Sequence, residues 1–387
     1  MSWRWIVTVT IVVIILTSLR FWALQSRGVA ALNVVKPALA IAQPIALWLL
    51  CTAFARDWWG IRRWRVHGWV LVALLVGYAA ANSVLHPHFD RPELRALKLD
   101  SDIDDEFIVA AGNARQLRSP YAEALYTGNP ISEGPAWVIL NAIFGSRTMF
   151  PLLAPAYAAL FAIVVWRLTR AAGAATLALL VTLASTGVWE SSFGGDLAAA
   201  GFAIASGTLL CLLAPARLGL SIAGALLIGA VATVRLPFVV VPVLAALLLY
   251  RARARQAASV VIACGAVVAV GSHLIFWAMY RGGYPPLHLV GQSAGSVGLL
   301  GVVIAGLLAA GVAFLLWRSW LEDPADVVFW QGVGLFGPFA IVAWQSIATV
   351  GLTGEDWTRY VAPAVPSFAA AVAAGAYRRE GVEGTQG

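Results

Sequence analysis

The chain has 387 residues, 60% of them hydrophobic and only 12% charged, with a formal net charge of +7 at pH 7. Its apolar residues come in runs of about 20, the length that crosses a hydrocarbon core, and they lack the alternation of a β-barrel. A water-soluble globular domain is thereby excluded, and each crossing must be a helix that satisfies its own backbone.

Taken in chain order, the hydropathy predicts an all-α, polytopic bundle of about twelve spans at 5–24, 36–55, 67–86, 148–166, 173–189, 197–214, 218–234, 237–250, 258–279, 298–317, 326–345 and 359–377. The first follows Arg4 as a signal peptide would, but the run is long and no small-x-small cleavage site follows, so it reads as a retained anchor. Arg62, Arg63 and Arg65 follow the second span, Arg167 and Arg170 the fourth, Arg251, Arg253 and Arg255 the eighth, and Arg378 and Arg379 the twelfth. All fall on one side when the N-terminus is cytoplasmic, the positive-inside pattern. The basic residues therefore report topology and require no nucleic-acid partner. Both termini are expected in the cytoplasm, with the polar stretch 87–147 outside as a loop carrying surface helices. Cys51, Cys211 and Cys264 lie within spans and far apart, which suggests neither a disulfide framework nor a metal site.

The chemistry concentrates between Asn82 and Asn141, where Asp102, Asp104, Asp105 and Glu106 bunch together. From Ile103 the apolar positions Phe107, Ala110, Ala111, Ala114 and Leu117 recur at helical spacing, predicting an amphipathic helix on the membrane surface. The acids stand at its N-terminus, where Asp caps free N–H groups and complements the helix dipole. One cap does not require four acids. Arg118-Ser119-Pro120-Tyr121 is expected to stop the helix. A Gly/Pro/Asn-rich unit, Tyr126-Thr127-Gly128-Asn129-Pro130-Ile131-Ser132-Glu133-Gly134-Pro135, leads into the apolar run 136–144, too short to cross and read as a second surface or half-inserted helix. A full span there would move Arg167 and Arg170 outside, against the charge rule.

This order of parts resembles the first external loop of GT-C-type glycosyltransferases. It has an acidic pair opening a helix, then Ser119-Pro120-Tyr121, then the 128–135 turn and a short apolar helix before an arginine-ended span. The likeness is closest to the actinobacterial-type, polyprenyl-phosphate-sugar-dependent branch with its mannosyltransferase-like group. It is strongest over 100–170 and looser at Gly194-Gly195-Asp196, Arg235-Leu236-Pro237-Phe238, Tyr284-Pro285-Pro286-Leu287-His288 and Arg359-Tyr360. The chain departs from the family by placing two extra spans before the acidic loop.

The resemblance implies a GT-C fold and transfer of a mannose- or arabinose-like sugar from a polyprenyl-phosphate donor to a cell-envelope lipid or polysaccharide hydroxyl on the external face. A hydroxyl is a poor nucleophile at neutral pH and needs a carboxylate base. Asp104 and Asp105 match the family's acidic position, with Asp105 preferred because Asp104 is better placed as the cap. A base working from the opposite face of the sugar inverts the anomeric centre. The departing phosphate needs positive charge. Arg235, an arginine interrupting an apolar stretch, is the first candidate, with Arg359 and His288 next. Snorkelling at a helix end is the plain alternative for Arg235. Asp102, Tyr121, Asn129, Asp196, Tyr284 and Tyr360 complete the expected substrate site, although outer-face tyrosines also belong to the interfacial belt. Asp102-Ile103-Asp104 spells D-x-D, so Mg²⁺ or Mn²⁺ use stays open. The competing class is a transporter or lipid flippase. That class gathers ionisable residues near the midplane, where this chain offers little beyond His273.

Overall fold

The structure, a computed structural model, describes residues 1–23, 30–58, 67–89, 103–123, 125, 131–213, 217–280, 304, 307, 311, 312, 314, 321–352 and 357–377. Helices α1 (Trp3–Ala23), α2 (Ala30–Ala55) and α3 (His67–Phe89) precede the polar stretch, which holds α4 (Ile103–Arg115) and the short α5 (Pro135–Leu140). Then follow α6 (Leu153–Thr169), α7 (Ala172–Leu183), α8 (Thr186–Phe193), α9 (Leu197–Leu213), α10 (Leu218–Val231), α11 (Val241–Arg251), α12 (Arg255–Ala266) and α13 (Ser272–Tyr280). The chain closes with α14 (Pro324–Val350), α15 (Trp357–Val361) and α16 (Val365–Tyr377). No strand occurs among the described residues.

Among the described residues six segments are long and apolar enough to cross a membrane: Trp3–Trp22, Val35–Ala55, His67–Pro87, Phe150–Thr169, Arg255–Met279 and Pro324–Ala348. They coincide with six of the expected spans. Four other expected spans are the shorter apolar helices Leu197–Leu213, Leu218–Val231, Phe238–Arg251 and Ala362–Tyr377. The run 298–317 lies mostly outside the described residues.

The run 173–189 is not the straight helix its hydropathy suggests. It bends by 79° between α7 and α8, and side chains take up the backbone groups that the break releases. Gln43 Nε2 donates to the Ala184 carbonyl at 2.7 Å, and the Thr186 N–H donates to Ser18 Oγ at 3.2 Å. Ser185 caps α8 by accepting from the Val188 N–H, and its hydroxyl lies 2.7 Å from that of Thr17. Broken helices are tolerated in apolar surroundings only when such partners exist.

Helix α9 is the axis of the core. It packs against α6 and α10 and touches α16, and its residues 197–209 are all buried, as expected of a helix apolar on every side. Gln331 Nε2 donates to Thr208 Oγ1 at 2.6 Å, and the Ser367 hydroxyl donates to Gln331 Oε1, so polar contacts join α9, α14 and α16. Side-chain hydrogen bonds of this kind hold helices together where burial alone gives little preference.

Contacts define the two ends of the bundle. At one end the N-terminal amine meets Asp326 at 3.3 Å, the Trp3 indole donates to the Val372 carbonyl, and the Leu321 N–H donates to the Arg251 carbonyl. Leu168 and Thr169 share a cavity with Asp323 there, so the arginines closing α6 and α11 lie together. At the other end Arg20 meets Glu190 at 2.9 Å, Thr358 donates to the same carboxylate at 2.7 Å, and Tyr121 packs edge-on against Phe276. Arg62, Arg63, Arg65, Arg378 and Arg379 lie outside the described residues.

Candidate active site

Helix α4 forms where the periodicity places it, but it does not rest on a surface with its polar face in water. Phe107, Ala110 and Ala111 are buried as expected, with Phe107 packed on Phe150 at 5.7 Å between ring centres. Asp104, Asp105 and Glu106 are buried too. The helix is seated in the end of the bundle, against the turn Ala142–Phe144. The approach is backbone to backbone at Gly145, where a Cβ would lie 2.4 Å from the Ala111 carbonyl carbon.

The helix also ends earlier than its sequence suggests. It stops at Arg115 and closes with Leu117 in the left-handed region at φ 57°. The Leu117 N–H donates to the Ala114 carbonyl and the Arg118 N–H to the Asn113 carbonyl. This paired C-terminal motif satisfies the last carbonyls before Pro120 is reached. Leu117 is consequently 97% exposed and is not part of the apolar stripe.

The acids of α4 are matched by arginines from distant segments. Arg235, between α10 and the 3-10 turn Leu236–Val240, places Nη1 2.7 Å from Glu106 Oε2 and Nη2 2.9 Å from Glu133 Oε1. Arg147 places Nη2 2.7 Å from Asp105 Oδ1. The two cations differ in setting, since the Arg235 side chain is 14% exposed and that of Arg147 is 44% exposed. Ser132 Oγ donates to Glu106 Oε2 at 2.5 Å. The Trp137 indole donates to Asp196 Oδ2 at 2.5 Å, and Tyr121 donates to the Glu133 carbonyl at 2.9 Å.

The turn that carries Glu133 is anchored through Thr233. The Gly134 N–H donates to the Thr233 carbonyl at 2.7 Å, and the Trp137 N–H donates to Thr233 Oγ1 at 3.0 Å. Gly134 is required by this closeness, because a Cβ there would lie 2.2 Å from the Thr233 carbonyl oxygen. The Gly/Pro-rich sequence is thus a docking turn that brings Glu133 to Arg235.

Charge in this site is unbalanced: Glu106, Glu133 and Asp196 all act on one guanidinium. Burial pushes the Glu133 carboxyl well above the usual carboxylate range against the lowering pull of Arg235, with Glu106 and Asp196 raising it further. Burial lifts Asp196 to about 6 despite Arg235 and the Trp137 hydrogen bond. Burial acts to lower Arg235, but Glu106, Glu133, Asp196 and Tyr360 outweigh it and hold the guanidinium charged. Glu133 Oε2 and Asp196 Oδ1 are buried without a hydrogen-bond partner among the described residues.

Of the residues expected at the site, the structure therefore gathers Asp105, Arg235, Tyr121, Asp196 and Tyr360 at one end of the bundle, with Asp104 in the same turn of α4. Asp102, Asn129, Tyr284 and His288 lie outside the described residues, as does the side chain of Arg359. The D-x-D pair is therefore only half placed, and no group of three or more His, Cys, Asp or Glu side chains suited to a metal occurs among the described residues. Arg147, Glu133 and Trp137 join the site although the sequence did not single them out. A lone arginine in a Gly-Ser-Arg turn and a glutamate between Ser and Gly carry no signal until the fold pairs them. No protein-family profile matches the chain, and no curated protein sequence matches it.

Proposed function

We propose that this protein is a membrane glycosyltransferase of GT-C type that moves a sugar from a polyprenyl phosphate to a hydroxyl of a cell-envelope acceptor. The supporting observation is that the acidic first turn of α4 meets two arginines, Arg147 and Arg235, at the bundle end away from the arginine-rich turns of α6 and α11. Group transfer to a hydroxyl from a phosphate needs a base and a cation within one site. By the positive-inside rule the arginine-rich turns face the cytoplasm and this site faces outward.

The two arginines divide the work. Arg235 is held by two carboxylates, and its role is to keep Glu106 and Glu133 in place. Arg147 is more exposed and touches the candidate base, so it is the cation that meets the donor phosphate. As Arg147 turns to the phosphate it releases the Asp105 carboxylate. The acceptor oxygen then bonds to the anomeric carbon while the carbon–oxygen bond to phosphate breaks. The electron pair leaves on polyprenyl phosphate, and the hydroxyl proton passes to Asp105, with Asp104 the second candidate. Asp104 would be the residue to hold a divalent ion, if one is used, and the ion would supply positive charge to the departing phosphate.

The test is transfer from a labelled polyprenyl-phosphate sugar in membranes containing the protein. Asp105→Asn, or failing that Asp104→Asn, is expected to abolish transfer while leaving expression intact. Full activity in both single variants and in the double variant sinks the general-base assignment. Donor that is translocated but never consumed replaces the transferase reading with a flippase.

A further inference from the structure

A second site lies at the opposite end of the molecule. Between α6, α9 and the start of α10 there is a cavity of about 770 Å³, in the size range of sites for small ligands. Its upper wall carries three arginines from two parts of the fold: Arg167 in the last turn of α6 and Arg170 just after it, and Arg217 at the N-terminal boundary of α10. Beneath them the walls are aliphatic, including Leu160 and Ile163 of α6 and Leu213 of α9. Among the described residues no acidic one lines it.

These arginines differ from those of the acidic end. Arg20, Arg147 and Arg235 each reach a carboxylate. Arg167, Arg170 and Arg217 make no ion pair among the described residues. Arg167 lies over the Trp166 ring at 5.4 Å, and Arg170 is fixed by a left-handed backbone whose N–H donates to the Trp166 carbonyl. Positive charge at a span's end reports topology by itself, but that rule does not call for a cavity. A basic pocket between membrane helices, continuous with an apolar wall, fits an anionic lipid headgroup with its acyl chain.

We propose that this cavity binds one anionic diacyl glycerophospholipid from the leaflet at the arginine-bearing end. The phosphodiester sits among Arg167, Arg170 and Arg217, and an acyl chain runs along Leu160, Ile163 and Leu213. The site is separate from the acidic end and does not depend on what reaction occurs there.

The experiment is native mass spectrometry of the full-length protein, titrated with phosphatidylglycerol or with phosphatidylcholine of the same chains. The wild type is expected to retain phosphatidylglycerol at least tenfold more tightly. The variant R167Q/R170Q/R217Q is expected to fall to the phosphatidylcholine level, losing that preference. Leu213→Trp fills the apolar wall and is expected to weaken binding with all three arginines present. Arg253 and Arg255, at the same end, supply the control: R253Q/R255Q keeps the preference. Equal retention of the two lipids by the wild type overturns the proposal without recourse to any variant. Equal loss in the control variant overturns it in favour of general surface charge. Competition by glycerol 3-phosphate as effective as that by the intact lipid overturns the lipid assignment in favour of a soluble phosphate.

Discussion

Arg235 and Arg170 lie at opposite ends of one bundle, and the fold treats them in opposite ways. Arg235 is 14% exposed and sits between Glu106 and Glu133, 2.7 and 2.9 Å away. Arg170 is exposed, ends a helix and reaches no carboxylate among the described residues. Removing a charge from water is costly and is offset only by close, well-hydrogen-bonded partners. The acidic end therefore spends three carboxylates and a network of hydroxyl and indole donors on one guanidinium. At the basic end Arg167, Arg170 and Arg217 are exposed and make no ion pair among the described residues.

The contrast is tested most severely by removing each arginine in turn. Arg235→Gln strands two buried acids and is expected to cost about 3–5 kcal/mol, seen as loss of a monodisperse species in detergent. Arg170→Gln is expected to leave thermal stability unchanged, and equal losses would end the distinction between the two ends. Within the acidic end, Asp105→Asn is expected to lower transfer by roughly 10²- to 10⁴-fold with the melting temperature preserved. Arg147→Gln, in the same assay, should raise the donor KM more than it lowers kcat. If instead it unfolds the protein as Arg235→Gln does, the two cations are both architectural.

A smaller effect is expected at Gly134, where the clash with the Thr233 carbonyl predicts a loss of about 1–3 kcal/mol in Gly134→Ala, measurable by thermal unfolding. The smallest effect concerns pH. Burial raises Asp196 from 3.8 to about 6, so the folded state holds this proton more tightly than the unfolded state. The resulting stabilisation is complete below the unfolded value and is lost as pH rises through the folded one. Melting temperatures of the wild type should thus decline between about pH 4 and pH 6 by a component that Asp196→Asn removes. An unchanged slope in that variant would show that Asp196 is not the group responsible.

Helix α4 shows how far periodicity carries. The spacing of Phe107, Ala110 and Ala111 identified a helix and its buried face, because side-chain repeats are local. The same reading placed Asp104, Asp105 and Glu106 at the N-terminus of a surface helix, with Asp104 and Asp105 as caps or bases, whereas the fold buries all three. Their countercharges come from Arg147 and Arg235, and no pattern within the helix announces them. The 173–189 run makes the same point for the backbone. Its hydropathy is that of a span, yet it bends by 79° because Ser18 and Gln43, from other helices, satisfy the broken turn.

The amino-acid sequence by itself determined that this protein is all-α, that it has segments able to cross a membrane, and where its acids and arginines lie along the chain. Hydropathy and charge are cumulative properties of neighbouring residues, so they survive without knowledge of packing. The tertiary structure alone decided which acids meet which arginines among the described residues. An ion pair such as Arg235–Glu133 joins residues 102 positions apart, and ångström-scale contact between them exists only after the turn at Gly134 has docked on Thr233.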